Sequence, residues 1–309
     1  MMSGQGEQAE RVKGPLVFMD YDQVELDRCY DQTNWAPNQA VVAARTEINS
    51  AGARERLGGA IRLSYGPTEI EKLDLFKAKQ PGAPILIYVH GGAWRSGSSS
   101  RCHAPAELFH GAGVNYIALD FNNVDEAGGS LFPMIDQVRR AVAWVWRNAA
   151  SFDADPERIY VFGHSSGAHL TGNILTTDWE GQYGVPNTIL RGGVVCSGMY
   201  ELAPVRLSAR SKYVNFTDDM VEQLSSIRHL DRLHCPVILA YGDQESPEFQ
   251  RQSKDFAQAL EKAGKSYKLI MAKGYNHFEI AETLANPYGL LGRATLKLMG
   301  RDFKGEARS

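Results

Sequence analysis

Cysteine is scarce in this chain of 309 residues: Cys29, Cys102, Cys196 and Cys235 are widely scattered and form no C-x-x-C pair. That spacing excludes a disulfide scaffold and leaves reduced, structural thiols as the expectation. No apolar run approaches the roughly 20 residues that span a bilayer. The first fourteen residues, MMSGQGEQAERVKG, contain no apolar stretch of the kind a secretory leader needs. A soluble, cytoplasmic protein is expected. Charge of one sign is not in excess either, with 33 Lys and Arg against 36 Asp and Glu. Nucleic acid and anionic membranes therefore find no electrostatic footprint, which leaves small molecules as partners. H-E-x-x-H, close histidine pairs and clustered Asp and His are all missing, so a metal site is rejected. Oligomeric state is not legible, and a homodimer stays open.

What the chain does have is 43% hydrophobic residues, enough for one large core. Short apolar runs recur at 61–65, 73–77, 84–89, 114–121, 159–162, 193–196, 237–241 and 267–271. Several are rich in β-branched and aromatic residues and end at Gly or Asp, as buried strands do. Between them, Ile135, Val138, Val142, Val145 and Trp146 recur at helical spacing and predict a helix over 133–149. Phe249, Phe256 and Leu260 do the same after Pro247. Strands alternating with helices imply a single doubly wound α/β domain, with eight strands in a mostly parallel sheet covered on both faces. Residues 1–60 stand outside this rhythm and are expected to wrap over the core at 61–309. Residues 199–232 interrupt it and are expected to form a small cap.

The chemistry concentrates in four places. Gly163-His164-Ser165-Ser166-Gly167 follows the run 158–162 and precedes a helix expected near Ala168. A serine in a sharp strand–turn–helix bend, flanked by small residues, presents its hydroxyl at the carboxyl end of a sheet. This is the nucleophile turn of α/β-hydrolases. His90-Gly91-Gly92-Ala93-Trp94 follows the run 84–89. Its Gly91 and Gly92 amides, with that of Ser166, form a plausible oxyanion hole for charge developing on an attacked carbonyl. His90 is read as a brace for this loop.

A serine hydroxyl needs a base. Of the eight histidines, His277 fits, because it stands in a turn after the last strand, where this fold places its base. His164 is too close to Ser165, and His229 and His234 precede the seventh strand. The orienting acid is sought just beyond the run 237–241, where Asp243 and Glu245 are both in reach. A position three residues after Gly242 selects Glu245, with Asp243 as the alternative. Glu248 is a third candidate, better explained as a favourable charge in a first helical turn.

These motifs, together with Glu245-Ser246-Pro247-Glu248-Phe249-Gln250-Arg251-Gln252-Ser253 and His277-Phe278, resemble the kynurenine formamidase (arylformamidase) group, which adjoins the hormone-sensitive-lipase-like esterases. The resemblance runs from about residue 20 to 295. It implies Ser165 as nucleophile, His277 as base, Gly91 and Gly92 as oxyanion donors and Glu245 in the acid position, where familiar formamidases carry Asp. It also implies that Tyr30-Asp31-Gln32 folds over the pocket. The expected activity is serine hydrolysis of an amide on a small aromatic substrate, without a cofactor. A carboxylesterase on the same residues is the alternative. Trp94, Phe121 and Tyr30 are expected to contribute an aromatic pocket wall, with a place in the core as the alternative for Trp94.

Overall fold

The computed structural model describes residues 11–302. The first ten residues of the polar stretch on which the reading of a missing leader rests lie outside them. A short hairpin comes first, β1 (Leu16–Phe18) against β2 (Tyr21–Asp22). The eight apolar runs then become eight strands of one sheet: β3 (Ile61–Ser64), β4 (Lys72–Phe76), β5 (Ala83–Val89), β6 (Asn115–Leu119), β7 (Ala154–His164), β8 (Leu190–Cys196), β9 (Val237–Gly242) and β10 (Tyr267–Ala272). Their spatial order is β10-β9-β8-β7-β5-β6-β4-β3. The six strands from β10 to β6 run parallel, β4 runs antiparallel to β6, and β3 antiparallel to β4. This is the α/β-hydrolase fold.

β7 is longer than its apolar run predicts. Polar Asp155 and Glu157 disguise its beginning, where pairing with β5 slips between Ala83 and Ile85. The helix expected over 133–149 occupies Phe132–Asn148 and buries Ile135, Val138, Val142 and Val145 against the sheet. The helix after Pro247 runs to Lys262, started by the Ser246 hydroxyl, which accepts from the Phe249 N–H. Among the described residues no helix is long and apolar enough to cross a membrane.

Strand order positions the site. After β5 the chain moves outward to β6 on one side. After β7 it moves the other way, to β8, β9 and β10. Loops leaving the carboxyl ends of β5 and β7 therefore diverge, and the crevice between them is where ligands bind in open α/β sheets. Residues 90–94 and Ser165 stand at that point.

Two segments contribute walls to this crevice. Helix Gln23–Cys29, the turn Gln32–Trp35 and helix Gln39–Arg56 are tied down along their length. Tyr30 Oη donates to buried Glu248 (2.8 Å), Gln32 Nε2 to Ser246 Oγ (2.7 Å), Asn38 Nδ2 to Glu279 (2.6 Å) and Ser50 Oγ to the Arg101 carbonyl (2.8 Å). The second segment, 199–232, consists of short turns and helices. Gln252 anchors its start by accepting from the Tyr200 and Glu201 N–H groups, both at 2.9 Å.

Candidate active site

Ser165 has φ 58° and ψ −128°, a conformation that L side chains avoid and that only a well-determined surrounding holds in place. The surroundings here are tight. A Cβ on Gly167 would lie 2.2 Å from the Val89 carbonyl, so only glycine lets helix Ser166–Leu175 begin this close to β5. The Ser165 N–H donates to the Cys196 carbonyl (2.9 Å), pinning the bend to β8.

Ser165 Oγ donates to His277 Nε2 (2.8 Å), and His277 Nδ1 donates to Glu245 Oε2 (3.2 Å). All three side chains are buried. The second carboxylate oxygen of Glu245 accepts from Ser197 Oγ and from the Gly242 N–H, both at 2.6 Å. A carboxylate held by these donors is fixed in direction, and it selects the histidine tautomer with Nε2 free to accept. Asp243 turns away and accepts from the Gly274 N–H (2.7 Å). Glu248 does open its helix, but it is fully buried, holding Tyr30 Oη and a forked Arg251 guanidinium (2.7 and 2.8 Å) rather than facing solvent.

Gly92 has φ +110°, and a Cβ there would sit 2.1 Å from the Ser96 carbonyl. The chain turns back on itself at this residue, with the Arg95 and Ser96 N–H groups both donating to Gly92 O. Ala93 and Trp94 follow with positive φ (56° and 64°). The N–H groups of Gly91, Gly92 and Ser166 meet no acceptor among the described residues, and all three flank Ser165. His90 braces the loop as expected. Its ring stacks on Phe121 with centroids 4.1 Å apart, and its Nδ1 donates to the Gly91 carbonyl (2.8 Å). Burial lowers its pKa, keeping it neutral.

Phe121 requires a correction as a cleft wall, and Trp94 takes its core alternative. Neither lines the cleft that opens on Ser165; both face a separate cavity of about 100 Å³ behind the glycine loop. The left-handed backbone at Trp94 directs its indole inward, where Nε1 donates to His169 Nδ1 (3.2 Å). Phe121 is occupied by His90. Tyr30 does line the cleft, with Asp31 and Gln32. The cleft measures about 590 Å³ and is walled by Val42 and Thr46 from the N-terminal segment, by Ala209, Arg210 and Tyr213 from the segment 199–232, and by Tyr88 and Phe278.

Several supporting residues carry no signal in the sequence. Ser197, with φ 56°, follows β8 in an unremarkable Cys-Ser-Gly. Gln32 and Arg210 sit in segments whose folding cannot be read from periodicity. His164 Nε2 donates to the His277 carbonyl (2.7 Å), and burial, reinforced by the neighbouring His277, lowers its pKa to about 3. No cysteine competes as nucleophile: all four thiols are free, and burial pushes that of Cys102, at the cleft wall, up to about 12. Among the described residues no group of three His, Cys, Asp or Glu side chains could hold a metal ion.

Known proteins match this sequence along nearly the whole chain. The kynurenine formamidase of Danio rerio is 30% identical over 296 residues, covering 92% of this chain and 98% of its own length. The chain belongs to the kynurenine formamidase family. The Salmo salar enzyme of the same name is 29% identical over 92% of the chain. A family model described as BD-FAE matches residues 73–180, and that of the prolyl oligopeptidase family matches 136–288. More distant relatives include esterase LipQ of Mycobacterium tuberculosis, 27% identical over 72% of this chain and 58% of its own. A solved esterase of Thermogutta terrifontis with butyrate bound superposes with TM-score 0.64 at 20% identity, over 79% of this chain and 93% of that one. As a member of this family, the protein is a serine hydrolase.

Proposed function

We propose that this protein hydrolyses the amide of a small aryl formamide through a formyl-enzyme on Ser165. His277 Nε2 takes the Ser165 proton as Oγ bonds to the carbonyl carbon. The Gly91, Gly92 and Ser166 N–H groups hold the resulting oxyanion, and the Glu245 carboxylate stabilises the imidazolium. His277 then protonates the departing arylamine as the C–N bond breaks. Water, deprotonated by His277, adds to the formyl ester and releases formate, returning the proton to Ser165.

The observation that carries this reading is the reach of the formamidase match. At 92% of the chain it necessarily takes in residues of the N-terminal segment that walls the cleft, whereas the LipQ match covers 72%. Substrate choice lies in such walls rather than in the serine machinery, which many chemistries share. Residues 61–309 then form the hydrolase domain, 1–60 an extension over it and 199–232 a small cap. The four free cysteines suit a reducing, cytoplasmic setting.

A carboxylesterase is the second reading, favoured by the esterases among the relatives. Steady-state kinetics on N-formylkynurenine and p-nitrophenyl acetate, in wild type and Ser165→Ala, separates the two. Formamide hydrolysis that dominates and vanishes in the variant supports the formamidase. Ester turnover alone moves the assignment to an esterase, and activity that survives Ser165→Ala removes the mechanism.

A further inference from the structure

Trp94 joins the two walls of the proposed oxyanion hole. Gly91 and Gly92 stand on the loop after β5, whereas Ser166 opens helix Ser166–Leu175 after β7. N–H groups from two separate elements converge on one oxygen only if loop and helix keep a fixed spacing. Trp94 bridges that gap twice. Its backbone N–H donates to Ser166 Oγ (3.1 Å), and its indole Nε1 donates to His169 Nδ1 (3.2 Å). Residues three apart share one face of a helix, so the loop grips the same helix face at two points. The Trp94 carbonyl is fixed as well, accepting from the Val124 N–H (2.7 Å).

The second grip requires one protonation pattern. An indole N–H can only donate, so His169 Nδ1 is bare and the ring proton sits on Nε2. Nε2 donates to the Leu224 carbonyl (3.0 Å), at the end of helix Asp218–Leu224 in the segment 199–232. Asn173 Nδ2, four residues further along the helix, donates to the same carbonyl (3.0 Å). Leu224 thus fixes the tautomer of His169 as Glu245 fixes that of His277. His169 is fully buried. A polar ring withdrawn from water is costly unless its bonds are made, and packing alone would be served by an apolar side chain. Both of its bonds lead to parts of the site.

We propose that His169 is a positioning residue of the oxyanion hole: through the Trp94 indole it holds the glycine loop against the helix of Ser166, at the spacing where the three N–H groups meet one oxygen. The proposal deepens the reading of Gly91, Gly92 and Ser166 as oxyanion donors and rests on it. It does not depend on which acyl group the enzyme removes.

The test separates binding that uses the oxyanion hole from binding that does not. 2,2,2-Trifluoroacetophenone adds Ser165 Oγ at its carbonyl carbon. The serine proton passes to His277, the carbonyl π pair becomes the oxyanion, and no group leaves. Acetophenone occupies the cleft without adding. Inhibition constants for both ketones are measured on p-nitrophenyl acetate hydrolysis, in wild type, His169→Asn, His169→Phe, Trp94→Phe and the double variant of the last two. Wild type is expected to prefer the fluoroketone by about 100-fold or more. In His169→Phe and in Trp94→Phe that preference falls about tenfold, and kcat falls by a similar factor while KM changes little. His169→Asn, whose amide oxygen stands where Nδ1 stood, keeps most of the preference. The double variant loses no more than either single one, because both remove the same bond. The ratio is read within each folded variant and from either end of the bond, so no single core substitution decides it. An undiminished preference in folded His169→Phe or Trp94→Phe overturns the proposal. Equal weakening of both ketones overturns it too, since that marks a general loosening of the cleft. If wild type does not distinguish the ketones, the oxyanion donors are misassigned and the role of His169 falls with them, whereas a failure to hydrolyse formamides leaves the proposal standing on these ratios.

Discussion

His164 Nε2 donates a 2.7 Å hydrogen bond to the backbone carbonyl of His277, so the residue preceding Ser165 holds the loop that carries its base. The two rings lie 4.7 Å apart, and burial keeps His164 neutral with a pKa near 3. It is therefore a fixed donor at every pH at which the protein works, not a second base. Replacing it with alanine leaves a buried carbonyl unpaired, a loss of about 1–3 kcal/mol. If that loss falls on the reacting geometry, kcat on p-nitrophenyl acetate drops roughly 10- to 100-fold with KM little changed. An unaltered kcat in folded His164→Ala would remove the brace.

The acid can be assigned by a pair of variants. Glu245 faces His277 and is held by Ser197 and the Gly242 amide, whereas Asp243 bonds Gly274. Glu245→Gln is expected to lower kcat by about 10²–10⁴-fold, the range for loss of an orienting carboxylate. Asp243→Asn should stay within a few-fold. The reverse ranking would transfer the role to Asp243. Ser197→Ala belongs to the same series. It removes one hydrogen bond to Glu245, and a roughly tenfold loss in kcat is expected from the usual value of a bond to a charged group.

How much of this was legible follows from how far apart the interacting residues lie in the chain. The eight strands, the nucleophile turn and the glycine loop are local patterns, and each stands where its few neighbouring residues imply. Glu245 and His277 were reachable because the fold fixes the ends of β9 and β10. Ser197 and Glu245 are 48 positions apart, and Arg210 meets the Tyr30 carbonyl across 180. No periodicity records such pairings. For Trp94 the choice between cleft and core is local: its position beside the glycines suits the cleft, but three successive positive φ angles, from Gly92 to Trp94, turn its ring into the core. The S-P-E-F-x-R-Q-S run turns out to be scaffold. Ser246, Glu248 and Gln252 dock the N-terminal segment and the start of residues 199–232, while Phe249 packs edge-on against the ring of His277, with centroids 4.9 Å apart.

Acid should weaken the fold before it protonates the carboxylates. Burial lowers the pKa of His90, of His169 to about 4 and of His164 to about 3. These groups are neutral when folded and titrate near 6.5 when unfolded. Below that pH the unfolded chain binds protons that the native state refuses. Their contribution is complete above pH 6.5 and declines as pH falls toward the folded values, by up to about 1.4 kcal/mol per pH unit for each group. Urea midpoints measured at pH 7 and 5.5 should show a clear fall. His169→Gln should reduce the slope, because it removes one of the three protons. A midpoint that stays constant or rises on acidification contradicts the assignment of these rings as buried and neutral.

The N-terminal segment should matter for catalysis through Gln32. Its side chain donates to Ser246 Oγ (2.7 Å) and to the Cys29 carbonyl (3.1 Å), and accepts from the Ser246 N–H (3.2 Å). Ser246 directly follows Glu245 and caps the next helix, so this amide couples the segment over the cleft to the backbone of the proposed acid. Gln32→Ala leaves the buried Ser246 N–H without an acceptor and takes one bond each from Ser246 Oγ and the Cys29 carbonyl, which keep their bond to each other, at the point where Glu245 is aimed. An expected loss of about 2 kcal/mol or more in stability should come with a fall in kcat that Glu245→Gln does not compound, since both act on one alignment. The double variant decides it: additive losses on p-nitrophenyl acetate would mean that Gln32 serves the cleft wall alone, whereas a combined loss no larger than that of Glu245→Gln places the N-terminal segment within the machinery that orients His277.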